Sequence, residues 1–297
     1  MRVSGFGRRA SVLPTRPESS PSAFSPSRNL KPETTVKLTQ LAAQCYTIRD
    51  FCKDSAAFST SMTKIEAIGY AAVQISGVGP IPEAEIVAIV KGEGLTICAT
   101  HENGKTIVEE TQKVIDRLGK LGTPFTAYPF PHTAIDTLDQ VRALAKQLDQ
   151  AGALMAKAGQ VLTYHNHAHE FKRLGGKTVL DIIYDETNPK HLQGEIDTYW
   201  VQSGGGDPVS WCQKLKHRLP LLHLKDYGVG ADNKPGYIAE IGNGNLDWKR
   251  IVAAAEAAGT QWFIVEQDSC PGDPFVSLQQ SFDYIKANLV GQVAAKA

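Results

Sequence analysis

The sequence predicts an eight-stranded parallel α/β barrel, a (β/α)8 TIM barrel, on three observations. Apolar strand-like segments alternate with helical stretches eight times over, the 261 residues from 37 to 297 are close to the roughly 250 of such a barrel, and four consecutive strands end in carboxylate or imidazole. The carboxyl ends of the strands are the functional edge of a parallel α/β fold, so the third feature locates the chemistry as well as the fold. A doubly wound open sheet is the rival, but it carries a glycine-rich phosphate turn after its first strand, and Ala43–Arg49 contains no glycine.

Residues 1 to 36 stand apart. Ser, Pro and Arg dominate them, only Glu18 and Glu33 are acidic, and no apolar face repeats, which predicts a disordered N-terminal extension before a single barrel domain over 37–297. Arg8-Arg9 hints at export, but Ala10–Pro14 falls short of the roughly 7 to 15 apolar residues of a secretory signal.

Leu38–Tyr46 reads as the first strand. Asp54–Gly69 reads as a helix, because Phe58, Met62, Ile65 and Ile68 recur at spacings of three and four before a glycine stop. Strands over Tyr70–Ser76, Leu95–Thr100 and Thr123–Tyr128 are each followed by a helical stretch, at Pro82–Lys91, Lys105–Gly119 and Ala134–Gly159. Glycines 69, 94 and 122 mark the returns from helix to strand. Strands five to eight fall at Gln160–Tyr164, Leu192–Asp197, Leu221–Asp226 and Trp262–Glu266. Their helices fall at Thr178–Tyr184, Asp207–Arg218, Leu246–Ala258 and Pro274–Leu289.

Formal net charge is zero, with 31 basic and 31 acidic residues, which gives no electrostatic footprint for a polyanion; no nucleic-acid partner is expected. The five cysteines form no C-x-x-C pair, which fits a reducing, cytoplasmic location. No run approaches the roughly 18 apolar residues of a membrane span, so a soluble protein without a membrane partner is expected.

The candidate chemistry gathers at the strand ends. Residues 165–170 hold His165, His167, His169 and Glu170, a density that packing alone does not explain. Asp197 at a barrel mouth needs a cation, an arginine or a network of donors to stay ionised there, and metal ligation supplies one. His223 alternates with Leu222 and Leu224, which turns it into the barrel. Glu266 follows an apolar strand, where glutamate is rarely buried without a partner. Asp197, His223 and Glu266 make an oxygen-rich set with one nitrogen, suited to Mn²⁺, Mg²⁺, Co²⁺ or Zn²⁺. Strand five should supply a fourth ligand. His165 and His167 share one strand face, and Glu170 sits beyond, where the loop can fold back; Glu170 is taken as the ligand and the two histidines as acid/base groups. His101, ending strand three, adds an imidazole from across the mouth. Lys225 is read as lying past the ligand position on the opposite strand face, where it steadies a carboxylate or a substrate oxygen.

The pieces Tyr164-His-Asn-His-x-x-Glu-Phe171, Glu195-Ile-Asp197, His223-Leu-Lys-Asp226, Gly242-Asn-Gly244 and Val265-Glu266, with Gln44-x-Tyr-x-Ile-Arg-Asp50 at strand one, resemble the sugar phosphate isomerase/epimerase family of xylose-isomerase-like barrels. The resemblance spans about residues 37 to 290. It implies a divalent-metal barrel acting on a small-molecule sugar or keto-sugar, with Asp197, His223 and Glu266 as ligands. Two departures stand out. The ketose epimerases of the superfamily end strand five in a ligand glutamate, where this chain is rich in histidine, and many relatives carry a glutamate in strand two where this chain has Gln74. The expected reaction is proton abstraction next to a metal-polarised carbonyl by His165 or His167, giving isomerisation, epimerisation or, with a β-leaving group, elimination by a dehydratase or lyase. A non-catalytic sugar-binding barrel is the rival reading, and a homo-oligomer is left open. The abasic-DNA endonucleases of the same superfamily need more histidines and a basic face, which this neutral chain lacks.

Overall fold

The computed structural model describes residues 36–291. Eight strands, β1 (Leu41–Gln44), β2 (Ala72–Ile75), β3 (Thr96–His101), β4 (Phe125–Tyr128), β5 (Val161–His165), β6 (Leu192–Asp197), β7 (Leu221–Leu224) and β8 (Trp262–Val265), close into a barrel in sequence order. All neighbours run parallel, and β8 returns to β1 through Leu41↔Phe263 and Ala43↔Val265. The predicted (β/α)8 barrel is therefore the fold of the described residues. Val36 is buried and bridges Val290, so the last residue assigned to the extension belongs to the packed body; the rest of that segment lies outside the described residues.

Helix ends follow the local sequence. Asp54 caps Ser55–Ile68 by accepting Ala57 N–H, and Gly69 closes it at φ 113°, in the left-handed region where only glycine is unstrained. Thr137 and Gln140 form a reciprocal capping box on Leu138–Lys157. The stretch expected as one helix over 105–119 is two, Gly104–Glu109 and Thr111–Leu121, broken where Glu110 leaves helical geometry at φ −128°, ψ 43°. The first strand is shorter than expected, because 3-10 turns at Leu38–Gln40 and Cys45–Phe51 take its ends. Three features carry no periodic signal: the 3-10 turn His169–Phe171, the helix Thr198–Ser203 and the hairpin of Asp226–Val229 with Pro235–Ala239. Among the described residues, no helix is long and apolar enough to cross a membrane. The five cysteines are free, four of them buried.

Strand alternation separates two apolar regions. Outward residues such as Leu162, Ile196, Leu222 and Phe263 join the large core under the helices, with Val141, Leu144, Leu148 and Met155. A second cluster, including Ala42, Ala72, Phe125, Leu221 and Ile264, lies on the other strand faces. Two residues further along these strands, on the same inward side, stand Gln44, Gln74, His223 and Glu266. The barrel interior thus changes from apolar packing to polar chemistry within one layer.

Candidate active site

β6 delivers two carboxylates rather than one. Glu195 and Asp197 are two residues apart, so both point inward, and both are fully buried. Glu195 Oε1 lies 2.5 Å from His101 Nε2, 3.1 Å from His223 Nε2 and 3.3 Å from His165 Nδ1. Its Oε2 accepts the Gln74 amide at 2.7 Å. Burial alone would raise its pKa; the surrounding His223 and His101 outweigh that and hold the carboxyl well below its usual range. Glu195 is the residue that sequence reasoning passed over, although the period of two from Asp197 could have found it.

Asp197 divides its oxygens between structure and site. Oδ1 caps Thr198–Ser203 through Trp200 N–H at 3.0 Å. Oδ2 is buried with no hydrogen-bond partner and faces Lys225 Nζ at 3.0 Å, His223 Nδ1 at 3.9 Å and His165 Nε2 at 4.0 Å. Burial pushes this carboxyl up from 3.8 to about 6, against the pull of Lys225 and His223. A buried carboxylate oxygen with an unused lone pair, next to imidazole nitrogens, is what a divalent cation would complete.

β7 contributes His223 and Lys225. The lysine stands two residues beyond the histidine and therefore shares its inward side; the expectation that it lies on the opposite face is corrected by strand periodicity. Its ammonium meets Glu266 Oε2 at 2.8 Å, Asp268 Oδ2 at 2.9 Å and Asp197 Oδ2 at 3.0 Å. Burial works against this charge, but Asp197, Glu266 and Asp268 outweigh it and keep the amine charged well above its ordinary range. Glu266 also meets His223 Nδ1 at 3.0 Å. For His223, burial opposes the charged form, yet Glu195 and Glu266 raise its pKa to about 10.

The β5 exit places its residues differently from the expectation. His165 ends the strand inside the barrel, and donors of His165, Asp197, His223 and Glu266 fall within 4.8 Å of one another, as do those of His101, His165, Glu195 and His223. Glu170 stands aside from both sets. Its carboxylate accepts Tyr164 O–H at 3.0 Å and His167 N–H at 2.8 Å, with His169 Nε2 at 3.2 Å. The chain turns away after β5 through the 3-10 turn His169–Phe171, which spends Glu170 on holding that turn. The β5 donor that gathers with Asp197, His223 and Glu266 is His165.

His167 faces a cleft of about 330 Å³ with His101, Tyr46 and Phe130 in its wall. Burial lowers the His167 pKa to about 4, so the ring is neutral at physiological pH, and its Nδ1 has no partner. His165, deeper, is held well below its ordinary value by burial. Across the mouth, Asp226 accepts the N–H groups of Tyr227, Gly242, Gly244 and Leu246 and the Trp248 indole at 2.7–3.2 Å. A Cβ at Gly244 would come within 2.3 Å of that carboxylate, so only glycine fits there.

Comparison with known proteins points the same way. The family described as xylose isomerase-like TIM barrel matches residues 62–288. The chain is 26% identical over 204 residues to an inosose dehydratase of Geobacillus thermodenitrificans, covering 63% of this chain and 66% of that protein. It is 25% identical over 169 residues to one from Clostridium tetani, covering 52% and 54%. The match therefore spans between half and just under two thirds of these curated relatives. In fold, it is similar to a sugar phosphate isomerase/epimerase from Parabacteroides distasonis, at TM-score 0.73 and 23% identity over 84% of this chain and 99% of that one. It is also similar to a 3-keto-D-glucoside 4-epimerase from E. coli, at TM-score 0.62 and 16% identity over 84% and 99%.

Proposed function

Because the chain belongs to the xylose isomerase-like TIM-barrel family, we propose that it is a divalent-metal-dependent enzyme that removes a proton next to a carbonyl of a keto-sugar or inosose. The observation that carries this reading is the unsatisfied Asp197 Oδ2 set among His165, His223 and Glu266, beside a neutral His167 on the cleft. The set of two nitrogens and two oxygens suits Mn²⁺, Co²⁺ or Zn²⁺, and also Mg²⁺ with waters retained. Such an ion supplies Lewis-acid polarisation of a carbonyl oxygen.

The chain's own residues do the rest. His165, Asp197, His223 and Glu266 would hold the ion. His167, neutral and lining the cleft, takes the proton from carbon. Lys225 is unsuited to be the base, since three carboxylates keep it protonated; it neutralises them and fixes Asp197 and Glu266 in place. Return of the proton to the other face of the same carbon gives epimerisation, return to the neighbouring carbon gives isomerisation, and loss of a β-hydroxyl gives dehydration. The similarity to inosose dehydratases favours testing the last outcome alongside the first two.

The test is exchange of carbon-bound hydrogen with deuterated solvent, followed by NMR on keto-sugars, keto-glycosides and inososes with the Mn²⁺- or Zn²⁺-loaded protein. Exchange is expected, and His167→Asn should slow it by about 10²–10⁴-fold while metal stays bound, the usual size of a general-base effect. Binding of a keto-sugar without any exchange would leave a sugar-binding barrel in place of an enzyme.

A further inference from the structure

Two donor sets compete for the same pair of histidines. One joins His165 and His223 to Asp197 and Glu266 toward the mouth; the other joins them to His101 and Glu195 beneath. Each imidazole points one nitrogen each way. His223 turns Nδ1 to Glu266 Oε2 at 3.0 Å and Nε2 to Glu195 Oε1 at 3.1 Å, and His165 turns Nε2 to Asp197 Oδ2 at 4.0 Å and Nδ1 to Glu195 Oε1 at 3.3 Å. A ring nitrogen that carries a proton has no lone pair for a metal, so the site is decided by which nitrogen of His223 is protonated.

The hydrogen bonds around Gln74 decide it, and they can be followed from a group with no ambiguity. A backbone N–H only donates. That of Tyr46 reaches Gln44 Oε1 at 3.4 Å, which turns the Gln44 amide nitrogen inward, where it donates to Gln74 Oε1 at 2.8 Å. Gln74 therefore presents its own nitrogen to Glu195 Oε2, at 2.7 Å. The far end agrees independently, because an ionised carboxylate accepts and never donates. His223 Nε2 lies 2.7 Å from the same Gln74 Oε1, so both of its neighbours, Gln74 Oε1 and Glu195 Oε1, are acceptors. That nitrogen must be the donor.

We infer that Gln44, Gln74 and Glu195 form a hydrogen-bonded floor that keeps the proton on His223 Nε2, so that Nδ1, which faces Glu266 at 3.0 Å and Asp197 at 3.9 Å, is the nitrogen that gives up its proton when a cation binds. Glu195 is then a positioning residue and not a ligand, and Gln74 is the amide that fixes it. Carboxylates and amides that hold the outer nitrogen of a metal-binding histidine commonly govern affinity in this way. The barrel has an apolar layer directly below this floor, through Ala42, Ala72 and Ile264, so the polar groups have no water beneath them to substitute for one another. The inference rests on the metal reading of the preceding subsection, and its test separates the two.

The test uses the full chain labelled with ¹⁵N-histidine. Long-range ¹H–¹⁵N correlation spectra report which nitrogen of His223 bears the proton in the metal-free and in the Zn²⁺-loaded protein, and calorimetry gives Zn²⁺ affinity for variants. Nε2 should keep its proton in both states. Glu195→Gln and Gln74→Leu should still bind Zn²⁺, about 10- to 100-fold more weakly, whereas Asp197→Asn should lose more than either. Loss of the Nε2 proton on Zn²⁺ loading, or a Glu195→Gln variant that loses Zn²⁺ while Asp197→Asn keeps it, overturns the inference. Failure of the unaltered protein to bind Zn²⁺, Mn²⁺ or Co²⁺ would remove the metal reading instead; the Nε2 proton in the metal-free spectrum then still decides for or against the floor.

Discussion

The two halves of the barrel mouth solve burial in opposite ways. The arc from β6 to β8 carries Glu195, Asp197, His223, Lys225 and Glu266, all ionisable and all within the interior. Apart from the imidazoles of His101 and His165 that end β3 and β5, the arc from β1 to β5 buries neutral groups, Gln44, Gln74, Thr100, Thr126 and Thr163. There, the threonine hydroxyls are satisfied by direct bonds between neighbouring strands: Thr126 Oγ1 donates to Thr100 O at 3.1 Å, Thr100 Oγ1 to Thr126 Oγ1 at 2.8 Å, and Thr163 Oγ1 to Thr126 O at 3.1 Å. In the charged arc, by contrast, Asp197 Oδ2 has the Lys225 ammonium at 3.0 Å as its charge partner and no hydrogen bond besides. Its groups hold together by charge, and that leaves capacity to bind and react. The threonines are bonded only among themselves, whereas Gln74 ties its side of the barrel to Glu195 and His223.

The contrast can be broken most directly at Lys225. Its replacement by Met in the metal-free protein leaves Asp197, Glu266 and Asp268 without their common cation, and unfolding free energy should fall by about 3–5 kcal/mol, the cost of stranding a buried charge. Urea unfolding checks this, and unchanged stability would mean that charge does not hold the arc. A smaller effect concerns pH. The carboxylate of Asp197, not the acid, binds a cation, and its raised pKa brings protonation in at about 6 instead of 3.8. Metal must also displace a proton from His223, whose pKa is raised to about 10, so affinity should already fall by about tenfold, ~1.4 kcal/mol, per unit below that pH and more steeply below about 6, where Asp197 adds a second competing proton. Calorimetric titrations between pH 7 and about 4.5 measure the slope; a profile that does not steepen below about 6 would refute the role of Asp197. Smallest is Thr126→Val in the neutral arc, expected to cost about 1 kcal/mol of stability with metal affinity unchanged. A fall in affinity there would show that the threonines, like Gln74, are coupled to the charged arc.

Much of this arrangement was legible in the chain. Strand ends rich in ligand-type residues located Asp197, His223 and Glu266, because a period of two, once started, fixes which side a residue faces. The same period also places Glu195 and Lys225 inward, and the signal was present but passed over for Glu195 and misread for Lys225. The β5 exit was not legible. His165 and Glu170 are both reasonable ligands by type and spacing, and the difference lies in a 3-10 turn of His169–Phe171, too short to leave a pattern. Gln74 is the converse case: it was noticed only as a departure from relatives, and its importance comes from partners 30, 121 and 149 residues away.

Asp226 has a consequence for traffic through the mouth. Its carboxylate gathers five donors, from Tyr227, Gly242, Gly244, Leu246 and Trp248, much as a bound anion organises a loop around itself. The segment after β7 is thereby clamped on the side of the charged arc. Among the described residues, none from 226 to 247 lines the cleft; its wall is drawn instead from the ends of β1 to β5 and of β8. On the proposed reading, a sugar would arrive over Tyr46 and Phe130, whose exposed rings flank the opening, with the clamped segment set back from it.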